Sequence, residues 1–184
     1  PVASARRVIG GLGVSRESHH GALIVRADAA ATAWFFISAV VSAVVFGGVV
    51  LWIGAITALS LFLIGVVAFL WSFWSAVQRS RGESIAVSQL YFLVGGVAPA
   101  RLRNTMNSLL AVQTVVGLAT ALARPNAVDG TPGSALALGV LVPMFGLGLN
   151  GLWAAYHGSF AERASEDDEV RLDRGSIGQN EGHG

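Results

Sequence analysis

Residues 29–78 read AAATAWFFISAVVSAVVFGGVVLWIGAITALSLFLIGVVAFLWSFWSAVQ, without one charged residue or proline. At a rise of about 1.5 Å per residue, a single helix of this length would overshoot a hydrocarbon core of about 30 Å more than twofold. Two antiparallel spans joined by a tight turn fit instead. We place them at 30–51 and 55–77, with the turn near 51–55, because Gly47, Gly48 and Gly54 loosen the helix there.

The composition of the whole chain agrees with a lipid environment. It is 53% hydrophobic and only 12% charged, whereas soluble domains carry about 25% charged residues. The mean hydropathy is +0.62. The 184 residues leave room for one domain. There is no cysteine, which excludes disulfides, thiolate-held zinc and iron–sulfur clusters. All 12 basic residues are arginine, a codon signature of a GC-rich genome rather than a functional one. Residues 1–28 are too polar and Arg-rich to hold the apolar core of a signal peptide, and read as a tail.

Two further spans follow. Residues 105–123 form an uncharged run of spanning length. RPNAVDGTPG (124–133) is dense in turn formers and cannot cross lipid as helix. Residues 134–160 make the fourth span, with Pro143 inside it predicting a kink. The expected fold class is therefore an all-α membrane protein with four transmembrane helices over 29–160, followed by an acidic, flexible tail at 161–184. In that tail the run Glu166-Asp167-Asp168-Glu169 reads as a solvated face.

Basic residues orient the spans. Arg79, Arg81, Arg101 and Arg103 lie between the second and third spans, and Arg6, Arg7, Arg16 and Arg26 precede the first; the other two connections hold only Arg124. Both termini and the central loop are thus expected on the cytoplasmic side of the inner membrane. Trp34, Phe35, Trp71, Trp74, Trp153 and Tyr156 then fall at cytoplasmic span ends, where amphipathic rings sit well. The central loop contains SIAVSQLYFLVGGVAPA (84–100), apolar yet flanked by arginines. It predicts an interfacial helix over 84–94, with two alternatives. One is a docking surface anchored by Tyr91 and Phe92, the other a re-entrant loop. In each case Arg101 and Arg103 reach headgroup phosphates.

The segment PMFGLGLNGLW (143–153) spells G-x-G-x-x-G with Gly146, Gly148 and Gly151. A dinucleotide site needs a strand before that motif and water around the pyrophosphate. Here the preceding segment is an apolar helix in lipid, so the glycines read as a bare patch for helix contact, with Asn150 as a polar tether. Small residues recur every four positions on the other spans too: Ala39, Ala43 and Gly47; Ala68, Ser72 and Ala76; Gly117 and Ala121. Such spacing lets helices approach closely, either within the bundle or against another subunit. Gln113 and Asn150 are the two strong polar side chains placed deep, and we expect a hydrogen bond between them across antiparallel helices.

On this placement the four spans hold no Asp, Glu, Arg or Lys. That disfavours a proton-coupled carrier, which needs an intramembrane carboxylate, and haem carriers, which need paired histidines. His157 sits at a span edge, while His19, His20 and His183 lack metal-ligand spacing. No hydrolase elbow, zincin or phosphate-loop motif occurs. No catalytic residue, cofactor or metal is implied, and no nucleic-acid partner.

The stretches GGVAPARLRNTM (95–106), VQTVVGLATALARP (112–125) and GVLVPMFGLGLNGLWAAYHGSF (139–160) resemble a family of small four-span actinobacterial membrane proteins without assigned chemistry. In size and layout the chain is similar to the accessory subunit beside the permeases of mycobacterial Mce lipid-import complexes. The resemblance implies a non-catalytic subunit packing against permease helices and membrane lipids. The expected function is accessory: stabilising or regulating a larger inner-membrane complex. A respiratory supercomplex is the alternative host, and a stand-alone carrier or lipid-handling protein the alternative class.

Overall fold

The computed structural model describes residues 2–45, 47–126, 129–130 and 134–162, with side chains from residue 20 onward. The expected acidic tail therefore lies outside the described residues apart from its first two positions. The molecule is mainly helical. Helix α1 spans Val2–Val45, α2 Gly48–Arg79, α3 Val87–Phe92, α4 Ala100–Ala123 and α5 Pro143–His157; a 3₁₀ segment, Ala135–Leu141, precedes α5. A two-residue ribbon pairs β1 (Glu83–Ser84) with β2 (Ala161–Glu162), antiparallel. Four stretches are long and apolar enough to cross a membrane: His20–Val45, Gly48–Arg79, Ala100–Ala123 and Ala135–His157.

Three boundaries differ from the sequence reading, each for a physical reason. α1 ends at Val45 and α2 opens at Gly48, so the break between the first two spans precedes the expected 51–55. Gly47 takes the extended backbone (φ −130, ψ 153) that opens α2, and Leu51 N–H bonds back to Gly47 O at 3.1 Å. Gly54 is helical and buried: a Cβ there would lie 2.6 Å from Ser42 Oγ. Its missing side chain serves close approach of α1, not chain reversal. The Ser42 hydroxyl donates to Val50 O at 2.9 Å in the same crossing.

The second difference is larger. Residues 1–28 were read as a tail, yet α1 is helical from Val2 and its spanning stretch begins at His20. Arg26 stays exposed while Asp28 is fully buried. Charge alone marks a span end only where the charge can reach water. Asp28 faces inward to partners on another helix. The earlier start also moves Trp34 and Phe35 away from a span end. Phe35 is core, and Trp34 Nε1 donates to Thr57 Oγ1 at 3.3 Å, part-way along α2.

Third, the fourth span is broken rather than bent. Proline has no N–H, and its ring excludes the helix turn before it. Pro143 accordingly stands at the first position of α5, and the chain before it tightens to 3₁₀.

Packing is by small residues. The buried face of α2 is Gly54, Ala55, Ala58, Leu61, Gly65, Ala68, Ser72 and Ala76. It receives α5 in parallel: a Cβ on Gly65 would lie 2.5 Å from the Phe145 backbone, one on Gly148 would strike Gly65 O, and one on Gly151 would lie 2.5 Å from Ser72 Oγ. Gly117 of α4 meets Gly139 backbone to backbone. An internal void bounded by Phe35, Ala39, Gly54, Ala58, Thr120 and Leu136 measures only about 10 Å³.

Candidate functional site: a buried polar relay between α1, α4 and α5

Asp28, Thr32 and Gln113 form a polar cluster in this apolar interior. Asp28 and Thr32 are one turn apart on the face of α1 that also buries Phe35 and Ala39, so helical spacing alone aims them together. Both contact Gln113 of α4. The Gln113 Nε2 group donates to Asp28 Oδ1 at 3.0 Å and to Thr32 Oγ1 at 2.7 Å. Its Oε1 accepts the Gly146 backbone N–H at 3.2 Å. Thr32 Oγ1 lies 3.5 Å from Asp28 Oδ1. Asp28 and Gln113 have 0% exposure. The amide of Gln113 thus bridges α1 to the first turn of α5.

The level of this cluster matters. Gly146 is the middle residue of the span Ala135–His157. Through Gln113 a carboxyl group is therefore held beside the break in the fourth candidate span, and its Oδ2 is buried without a hydrogen-bond partner. The expectation that the spans hold no ionisable residue is corrected: Asp28 lies inside the first one.

The expected Gln113–Asn150 hydrogen bond is absent. Antiparallel α4 and α5 meet about one turn out of the assumed register, so Gln113 faces Gly146, and Asn107 faces Asn150. Asn150 donates through Nδ2 to Tyr91 O at 2.9 Å and to Asn107 Oδ1 at 3.1 Å. Asn107 Nδ2 donates to Phe92 O at 2.9 Å. The last carbonyls of a helix lack intrahelical partners. These two amides supply partners at the end of α3, where Leu93 turns left-handed (φ 55) and Gly95 and Gly96 continue at positive φ.

Of the two expected loop anchors, Tyr91 is interior and Phe92 exposed. Tyr91 stacks on Phe69, with ring centroids 4.2 Å apart at 11°, and its hydroxyl donates to Phe69 O at 3.3 Å. Burial raises the Tyr91 hydroxyl above its ordinary value, which keeps it a neutral donor. Arg101 is exposed and Arg103 half-buried. Arg79 performs a second closure: Nη1 donates to Ala155 O at 2.8 Å, Nη2 pairs with Glu83 at 2.8 Å, and the guanidinium lies over Phe160. His157, expected at an edge, stacks on Trp153 with centroids 5.6 Å apart.

The small residues singled out from sequence are distributed as follows. Gly146, Gly148 and Gly151 are covered by Gln113, Gly65 and Ser72 of the same chain. Ala39 is core, Ala43 is half-buried with its carbonyl accepting from Arg124 Nε at 3.3 Å, and Gly47 opens α2. Asp28, Thr32 and Asn107 were missed. The usable signal for the first two was their four-residue spacing in phase with the apolar face of α1. Among the described residues, no group of three or more His, Asp or Glu could hold a metal ion. No known protein family, curated protein or solved structure matches the chain.

Proposed function

We propose that this chain is a non-catalytic accessory subunit of a larger inner-membrane complex, which it stabilises or regulates by helix packing. The observation that carries this reading is a self-filled interior. The motif glycines are used within the bundle, the void at the α1–α2–α4 junction is about 10 Å³, and the larger grooves, of about 520 to 710 Å³, open on the outer surface. Such a bundle offers a larger assembly a pre-formed helical surface, and α2 presents Trp52, Ile56, Leu63, Val67 and Trp74 outward. The resemblance to the accessory subunit of Mce-type lipid-import complexes makes a lipid transporter the favoured host, with a respiratory supercomplex as the alternative. In this reading the termini and the 80–99 connection are cytoplasmic and Arg101 and Arg103 meet headgroups. Purification of the tagged chain from native membranes is expected to recover a stoichiometric integral-membrane partner. Recovery of a monodisperse single protein would overturn the reading.

A second reading, a small stand-alone carrier, is favoured by one observation: the span break at Pro143 lies at the level of Gln113 and Asp28. Interrupted helices often line binding sites near the midplane. Solute uptake by the purified protein in liposomes, lost on Asn150 or Asp28 substitution, would replace the first reading with this one.

A further inference from the structure

Among the described residues Asp28 is the fully buried carboxyl group, and packing alone does not account for it. Its Oδ1 is supplied with a donor by Gln113, and Thr32 lies at the edge of bonding distance; its Oδ2 is buried without a partner. No counter-charge answers it from any packed element. Among the described residues, 48–78 of α2, 104–123 of α4 and 143–155 of α5 contain no Asp, Glu, Arg, Lys, His or Tyr; Arg101 and Arg103 stand at the start of α4, and His157 at the end of α5 lies against Gly21, two turns from Asp28 along α1. On α1 itself Arg26 is exposed, and His20 lies two turns away and exposed. The residue has no accessible surface, so a water molecule has no place beside it. Among the described residues, no group of three or more His, Asp or Glu gathers there to hold a metal ion. An ionised carboxylate left half-solvated in such a medium is strongly disfavoured.

One species fits this geometry without new space. A proton on Oδ2 leaves Oδ1 as the carbonyl acceptor that Gln113 already addresses. We propose that Asp28 is a proton-binding site of the bundle, whose occupancy governs how α1 is seated against α4 and α5. The step is a simple protonation: the carboxylate takes one proton from the aqueous phase and becomes a carboxylic acid, with no other bond made or broken. Losing the proton places a charge in the apolar interior of the bundle, and that charge regains partners only if α1 shifts enough to admit water. Gln113 transmits the change, because the amide that holds Asp28 also holds Gly146, three residues after the break in the fourth span. The proposal holds whether the chain works alone or in a complex.

The test uses the full chain in lipid nanodiscs of phosphatidylcholine and phosphatidylglycerol. Infrared difference spectra between mildly acidic and mildly alkaline buffer should show one carboxylic C=O band that disappears as pH rises and is absent in Asp28→Asn. The Gly146 amide resonance should shift along the same titration curve. In Asp28→Asn, a near-isostere of the protonated acid that keeps the fold, this resonance should stay at its acid-side position at every pH. In Gln113→Leu the band should persist while the Gly146 response is lost. A band from Asp28 that never changes while the fold is intact, or a band that never appears, would overturn the proposal. So would a Gly146 shift that survives in Asp28→Asn.

Discussion

At the scale of single residues, the interior is organised by three amides, each with a separate task. Gln113 joins α1 to α5, whereas Asn107 and Asn150 close the end of α3. Replacing Gln113 with Leu strands the Gly146 N–H and Asp28 Oδ1 in an apolar interior, a loss of about 1–3 kcal/mol for unsatisfied buried groups. Asn150→Leu leaves Tyr91 O without its donor at comparable cost, with faster hydrogen exchange confined to residues 87–94. Because the two side chains share no bond, the double variant should be additive to within about 0.5 kcal/mol, measured by reversible unfolding in mixed micelles. A larger coupling would restore the direct Gln113–Asn150 bond expected from sequence. That both residues lie deep was legible, since strong polar side chains in long apolar runs are rare and must be satisfied. Their partners were not legible. Partnership depends on helix register, and a shift of one turn exchanges every neighbour.

At the scale of elements, glycine serves two different purposes. Gly117 lies so close to Gly139 that an added Cβ would overlap backbone, which cannot yield as a flexible side chain can. Gly117→Ala should therefore cost about 1–3 kcal/mol through overpacking. Gly48 has open space around its Cβ position. Gly48→Ala should be neutral or stabilising by about 0.5–1 kcal/mol, as expected when alanine replaces a helical glycine. Melting temperatures of the two variants in one detergent check the contrast, and equal losses would refute this account of the α4–3₁₀ contact. The sequence marks all of these glycines alike. Gly54 was assigned to a turn and Gly47 to both a turn and a packing stripe, whereas Gly54 is a packing glycine and Gly47 opens α2. Local propensity registers that a side chain is absent, not which neighbour occupies the space.

At the scale of the whole molecule, the four-span arrangement brings the α2–α3 connection and the end of α5 to one side, where Arg79 and the β1–β2 ribbon tie them together. The connection after α4 lies at the opposite end. The absence of cysteine makes sidedness directly measurable. With termini and central loop cytoplasmic, a membrane-impermeant thiol reagent should label Asn126→Cys in intact cells and leave Gly82→Cys unlabelled until the membrane is opened. The reverse pattern would invert the topology. Hydrophobic run length and the scarcity of charge determined the number of spans and their helical nature, because in lipid a chain must satisfy its backbone within each helix. Proline determined where the fourth span breaks, because the missing donor acts wherever the helix goes. Only the tertiary structure decided that Asp28 belongs inside the membrane bundle and not to a tail. The burial of a carboxyl group is set by what faces it, and the partner that comes from another helix, Gln113, lies 85 residues away along the chain.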